Sequence, residues 1–223
     1  PRLLVIGPTP PPVHGVSAYV RMLTTHLPLH ARFRVAAVDT SDRRSIENIG
    51  RWDPVNVALG LGHLAALARA LVAHRPAVTY VPVSQNAPAF LRDTLFVALA
   101  RAAGSRVVLH LHGGAFGAFY AASGPLLRAV VRWTHRRAHR VWVLGEGLRA
   151  QYEGLMPTER VRVVPNGVAD PRSAPDADPR NAGEEALPTP PKPARPFTVL
   201  FLGQVSRSKG ADVLLDAAEA LLA

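Results

Sequence analysis

Several loops in this sequence gather residue types suited to holding a phosphate and a hydroxyl-rich ligand. The stretch Phe201-Leu-Gly-Gln-Val-Ser-Arg-Ser-Lys-Gly210 follows an apolar strand expected at 197–202 and sets Gly203, Arg207, Lys209 and Gly210 just before a helix. Glycine lets the backbone approach an anion closely, the helix N-terminus carries positive partial charge, and the two cations add full charge. That spacing suits a nucleoside diphosphate, although a turn with two solvated basic side chains has the same residues. In His110-Leu-His-Gly-Gly114 the two imidazoles stand two residues apart in an extended segment, so both face one side. His112 is expected at a ligand rim and His110 deeper, as a structural residue. Metal binding by the pair lacks a nearby carboxylate or thiolate, which leaves substrate contact or structural hydrogen bonding for His112.

Three further loops carry polar groups. Pro8-Thr-Pro-Pro-Pro-Val-His-Gly-Val-Ser17 follows the first strand; its prolines favour an extended course, and Gly15 opens the backbone to a ligand beside His14 at the next helix N-terminus. Glu146, past another strand end, suits either a hydroxyl-rich ligand or a helix cap. Asn166 and Gly167 close the last strand and in isolation read as a turn. Neither G-x-G-x-x-G nor G-x-x-x-x-G-K-[ST] occurs, which disfavours dinucleotide and P-loop sites.

These loops need a scaffold that presents strand ends side by side, and the hydrophobic pattern supplies one. Apolar strands are expected at 2–7, 33–38, 77–83, 106–111, 141–144 and 161–164. Helices are expected at 16–27, 55–74 and 90–103, with a basic helix within 124–140 and a short one at 147–152. Continuous β-branched and Leu runs imply strands covered on both faces, hence a parallel sheet. The fold class is therefore α/β, a Rossmann-like doubly wound domain over 1–170. Residues 171–196 are rich in Pro, Ala, Asp, Arg and Glu and read as a linker. Residues 197–223 read as the first βα unit of a second Rossmann-like domain, and a lone βα unit has no core of its own, so the sequence is expected to be truncated.

Composition narrows the class. Of 223 residues 48% are hydrophobic and only 6% aromatic, as an Ala/Leu/Val-rich α/β protein requires. Cysteine is absent, which excludes disulfides and thiolate metal sites and fits a cytosolic setting. Read residue by residue, no apolar run reaches the ~18–20 residues of a membrane span and no signal sequence follows Pro1, so the protein is expected not to be integral to a membrane. Because Pro1 is not an initiator Met, preceding residues are expected to be missing. The net charge of +10 comes almost wholly from Arg, with Lys only at 192 and 209. On the basic helix, Arg128, Arg132, Arg136 and Arg140 form a ridge opposite Leu127, Val130, Val131, Thr134 and Ala138; it reads as a solvated outer face or as a contact with an acidic membrane surface near Trp133.

As an ordered set, the motifs resemble the retaining GT-B glycosyltransferases of glycosyltransferase family 4. The resemblance rests on Pro11-Pro-Val-His-Gly15, His110-Leu-His-Gly-Gly-Ala-Phe116 with Phe119-Tyr120, Val141-Trp-Val-Leu-Gly-Glu146, Val161-Arg-Val-Val-Pro-Asn-Gly-Val168 and Phe201 to Gly210. The His-Leu-His-Gly-Gly block looks most like bacterial enzymes of exopolysaccharide or O-antigen synthesis. The resemblance implies transfer of a sugar, with retention, from a nucleotide-sugar donor of UDP or GDP type to a saccharide or lipid-linked acceptor. It implies no metal and no cofactor, since the nucleotide sugar is itself a substrate. By position, it implies that Gly15 approaches the donor phosphates, His112 acts on the transferred sugar with Gly113 and His14 beside it, Asn166 and Gly167 mark the crossing between domains, and Gly203, Arg207 and Lys209 bind the diphosphate. It suggests peripheral placement at the inner membrane face.

Two departures from that family stand out. The Arg usual after the first Gly of the phosphate loop is Gln204 here, and the donor-binding Glu-x7-Glu motif is absent, so the 223 residues alone are expected to be inactive or nearly so. A non-catalytic basic module that binds anionic lipid or nucleic acid accounts for the charge but not for the histidine and glycine loops. Scarce aromatic residues count against single-stranded nucleic acid, and no nucleic-acid partner is expected.

Overall fold

The aliphatic runs of the sequence form strands covered on both faces. In β1 (Arg2–Gly7) every residue after Arg2 is buried, and Leu3 and Val5 face one helical layer while Leu4 and Ile6 face the other. β1 joins β2 (Arg34–Asp39), β3 (Val78–Pro82), β4 (Arg106–Leu111), β5 (Arg140–Val143) and β6 (Val161–Val163) in one six-stranded sheet of order β2-β1-β3-β4-β5-β6. Every pairing is parallel. The strand order reverses between β1 and β3, the place where doubly wound sheets open a crevice at their carboxyl edge. The expected α/β Rossmann-like architecture is therefore the observed one.

The computed structural model describes residues 1–44, 53–167, 198–201, 205, 207 and 210–222. The chain divides into two compact units, Pro1–Val168 and Ala169–Ala223. In the first, α1 (Gly15–Thr25) and the short α2 (Leu27–Arg32) cover one face of the sheet around Leu3, Val5, Tyr19, Val20 and Tyr80. The other face is covered by α3 (Pro54–His74), α4 (Ala87–Ala102), α5 (Phe116–Ala122) and α6 (Pro125–Arg137), which bury Leu67, Leu71, Phe90, Phe96, Phe116 and Val131. Asp53 and Asn86 cap α3 and α4 by accepting from the N–H groups of Asn56 and Ala89 at 2.9 and 3.1 Å. The β5–β6 crossover is built of 3-10 turns, Glu146–Tyr152 and Thr158–Arg160, instead of the α-helical turn expected there.

Three sequence expectations are corrected. α3 spans 21 residues with mean hydropathy 1.6, long and apolar enough to cross a membrane by length and composition; Asn56, His63 and Arg69 break the run only when residues are read one at a time. In the fold this helix is the crossover from β2 to β3, and Leu67 and Leu71 are its buried residues. Arg140 does not extend the basic ridge, because α6 ends at Arg137, Ala138 turns extended (ψ 138°) and Arg140 opens β5. Its guanidinium donates to the Glu159 carbonyl at 2.7 Å. The proline loop bends at residues 10–12 where an extended course was expected.

The second unit has α7 (Ala211–Leu222) after Gly210, whose φ of 78° favours glycine. Residues 198–201 form no strand: an apolar run becomes one only where a neighbouring strand takes up its hydrogen bonds. Residues 197 and 202 of the expected strand lie outside the described residues.

Candidate functional site

β4 delivers two histidines to the carboxyl edge of the sheet. His110 is fully buried among the rings of Tyr19, Tyr80 and Trp142, at centroid distances of 5.0, 5.8 and 5.7 Å. His112, two residues on, is half-buried, with its ring 4.0 Å from that of His110 and 4.7 Å from that of Tyr19. The Tyr80 hydroxyl sits between them, 2.9 Å from His110 Nδ1 and 2.8 Å from His112 Nε2. One hydroxyl carries one proton, so Tyr80 donates to one imidazole and accepts from the other, and the tautomers of the two rings are coupled.

Burial sets the charge state of this cluster. It lowers the His112 pKa to about 4. For His110 burial, then the neighbouring His112, lower it to about 3 against a small opposing pull from the Val164 backbone. The Val164 carbonyl meets the far nitrogen of His110 only outside good hydrogen-bond geometry. The Tyr80 phenol is pushed well above its usual value by burial, then by Tyr19. All three groups are neutral at neutral pH, so the cluster recognises a ligand by hydrogen bonds and ring contact, not by charge. His112 Nδ1 is buried with no hydrogen-bond partner among the described residues.

The loop after β4 is locked from two sides. A Cβ at Gly113 would meet the Gln85 side chain, with Oε1 at 3.0 Å, and Gln85 Oε1 accepts from the Ala115 N–H at 2.7 Å. Gln151, in the turn after β5, donates to the Gly114 carbonyl at 3.0 Å and accepts from the Gly117 N–H at 2.9 Å. A side chain at 113 would thus have to displace the Gln85 amide from its bond to the Ala115 N–H.

The β1–α1 loop meets the same rim. His14 caps α1, its Nδ1 accepting weakly from the Ser17 N–H at 3.4 Å while Ser17 Oγ accepts from the His14 N–H at 2.9 Å. The Nε2 of His14 is buried without a partner among the described residues. Gly15 is exposed and a Cβ there would meet nothing within 4 Å. Tyr19, one turn into α1, touches His112, so Tyr19 links the first strand's loop to the fourth strand's.

The remaining sequence candidates lie elsewhere along the edge. Glu146 is 73% exposed and paired with Arg149 at 3.0 Å, a surface pair within one 3-10 segment. Asn166 and Gly167 are exposed beyond the end of β6, the outermost strand on the side away from β2. Arg207 belongs to the second unit, 94% exposed and 3.9 Å from Asp212. Gly203 and Lys209 lie outside the described residues. On α6, Arg128 donates to the carbonyls of Tyr120, at 3.1 Å, and Ala121, and Arg132 donates to the Tyr120 hydroxyl at 3.1 Å. Those two guanidiniums hold the end of α5, and Arg136 remains exposed.

Sequence reasoning missed Tyr19, Tyr80, Gln85 and Gln151. Only Tyr80 left a signal, as the one aromatic hydroxyl in the strand Val-Thr-Tyr-Val-Pro, whose neighbours are otherwise suited to a dry interior.

Curated protein sequences gave no match to the chain. Residues 14–167, from the His14 cap to the turn after β6, match the family model described as a glycosyl transferase 4-like domain. These residues hold both histidine-bearing loops and five of the six strands, and the chain belongs to that family, whose general activity is glycosyl transfer from a sugar donor to an acceptor.

Proposed function

We propose that the protein transfers a sugar, with retention, from a nucleotide-sugar donor of UDP or GDP type to a saccharide or lipid-linked acceptor in bacterial polysaccharide or envelope-glycan synthesis. The observation that carries the reading is the neutral His112 at the end of β4, joined by Tyr19 to the loop that presents His14 and Gly15. A neutral imidazole suits contact with sugar hydroxyls and leaves the diphosphate to other groups. In this reading Gly15 admits the donor phosphates, and Gly203, Arg207 and Lys209 neutralise the departing diphosphate. Negative charge grows on that leaving group as the glycosidic bond breaks, so cations placed there lower the barrier. Attack from the leaving-group face accounts for retention without a pair of catalytic carboxylates. The Rossmann-like first unit, the family match and the phosphate-loop sequence support a two-domain GT-B arrangement in which the first domain takes the acceptor.

A thermal-shift and calorimetric screen of the full-length protein against UDP, GDP, ADP and their sugars tests this. One diphosphate and its sugar are expected to stabilise it, and Lys209→Ala to weaken that ligand by about 1.5–3 kcal/mol, the scale of a charge-assisted contact. Silence toward every nucleotide, together with steeply salt-dependent binding to duplex DNA, would replace the enzyme with a basic binding module.

A further inference from the structure

Beside the histidine rim, a cavity of about 530 Å3 opens between α3 and α4 over the carboxyl ends of β1, β2 and β3. That volume lies within the range of small-molecule sites. Its walls are aliphatic and aromatic, with Val57, Leu61, Leu64, Leu91, Leu95 and Phe96 among them. Leu61 is 64% and Leu95 49% exposed, so large apolar side chains from two neighbouring helices face water across a concavity instead of closing into the core. A protein partner of ordinary size meets a broad surface patch, whereas a concavity of about 530 Å3 between two helices accommodates a single hydrocarbon chain.

The polar groups in the wall define the rest of the ligand. His14 Nε2 and His63 Nδ1 are buried there with no partner among the described residues. The charges at the mouth are already matched: Arg92 lies 2.9 Å from Asp93, and Arg44 lies 2.7 Å from Asp42, a wall residue. A site of this kind selects hydroxyl or ester oxygens beside a hydrocarbon, not a bare anion. The cavity also runs into the rim, because His14 and Gln85 line it and Gln85 accepts from the Ala115 N–H just past His112.

We propose that this cavity holds an aliphatic chain, acyl or isoprenoid, attached to a hydroxyl-bearing acceptor, so that the acceptor is lipid-linked. The word acceptor rests on the glycosyl-transfer reading; binding of the chain does not.

The test is calorimetric titration of the 223-residue chain with n-decyl and n-butyl β-glucoside below their micelle-forming concentrations. Decyl glucoside is expected to bind saturably, at least tenfold tighter than the butyl homologue, because only the longer chain fills the slot. Leu61→Gln and Leu95→Gln change exposed side chains and are expected to keep the wild-type melting temperature while weakening decyl glucoside about tenfold. Val72→Gln, on the same helix at 75% exposure but outside the lining, is expected to bind as wild type does. Absence of saturable binding, equal affinity for both homologues, or full affinity in both leucine variants would overturn the proposal. So would a concentration-dependent dimer in sedimentation that Leu61→Gln abolishes, since a second copy would then be the occupant. Nucleotide response of the full-length protein is a separate readout: chain binding here without nucleotide response there removes the transferase reading and keeps the cavity, and nucleotide response without chain binding does the reverse.

Discussion

At the scale of single residues, the Tyr80 hydroxyl decides how His112 presents itself. Its proton goes to one imidazole and its lone pair to the other, so the buried nitrogen left without a partner among the described residues, His112 Nδ1, is either a donor or an acceptor but not both at once. Tyr80→Phe removes that constraint and strands two ring nitrogens, one of them in the fully buried His110. We expect a loss of about 1–3 kcal/mol in urea unfolding, the range for an orphaned buried polar group. A change in the His112 ring 15N shifts should accompany it, as the tautomer populations are released. Unchanged 15N shifts would show that His112 holds its tautomer without Tyr80. His112 itself was legible in the sequence because an i, i+2 pair before two glycines points to a strand leaving a sheet. Tyr80 showed only as an aromatic hydroxyl in an apolar strand; its role was not legible, since it depends on the β3–β4 pairing that sets Pro82 opposite His110, and pairing partners are not written locally.

At the scale of elements, the β3–α4 connection is held by one buried carboxylate. Asp93, 5% exposed at its side chain, accepts from the Ser84 N–H at 2.9 Å and from Arg92 at 2.9 and 3.2 Å. It thereby fixes the turn that carries Gln85, which in turn holds the loop after His112. Asp93→Ala leaves the Ser84 N–H and a guanidinium without their acceptor, and a loss of about 2–4 kcal/mol by denaturant titration is expected. Asp93→Asn keeps one acceptor and should recover part of it; equal losses for the two variants would mean that the carboxylate packs and does not bond. The six strands of the sheet were legible to within one residue, because their runs are aliphatic and, in β1, β3 and β4, almost wholly buried; the same signal misled at 198–201, where an apolar run forms no strand. The short α2 and α5, six and seven residues long, were not, since neither is long enough to show a 3.6-residue period. Arg140 was misplaced for the opposite reason: arginines spaced by four continue the period of α6 past the residue where the backbone leaves the helix.

At the scale of the whole molecule, the buried imidazoles make stability depend on pH in a window set by histidine alone. His135 is fully enclosed by Phe90, Phe116 and Tyr152, with Nδ1 bonded to the Val131 carbonyl at 2.8 Å, and burial lowers its pKa from 6.5 to about 4. His110 and His112 are lowered in the same direction, to about 3 and about 4. In the unfolded chain these groups take up protons near pH 6.5, whereas the folded chain takes them up only near 3–4. Between those values unfolding binds protons, so the stabilisation is complete above about pH 6.5 and is lost as the pH falls toward 4. For His135 the shift corresponds to about 3 kcal/mol, a sizeable part of the 5–15 kcal/mol typical of a domain. Carboxylates act lower: the Arg44 guanidinium holds Asp42 below its usual 3.8, so its contribution disappears only in stronger acid. His135→Phe keeps the ring in its aromatic surroundings and removes the proton. Urea unfolding at pH 7 and pH 4.5 should therefore show a smaller acid loss in this variant than in the wild type, by about 2–3 kcal/mol, with His110, His112 and the other histidines that burial lowers, His14, His63 and His139, supplying the loss that remains. Identical losses in the two proteins would take His135 out of the acid sensitivity and leave it with those other histidines.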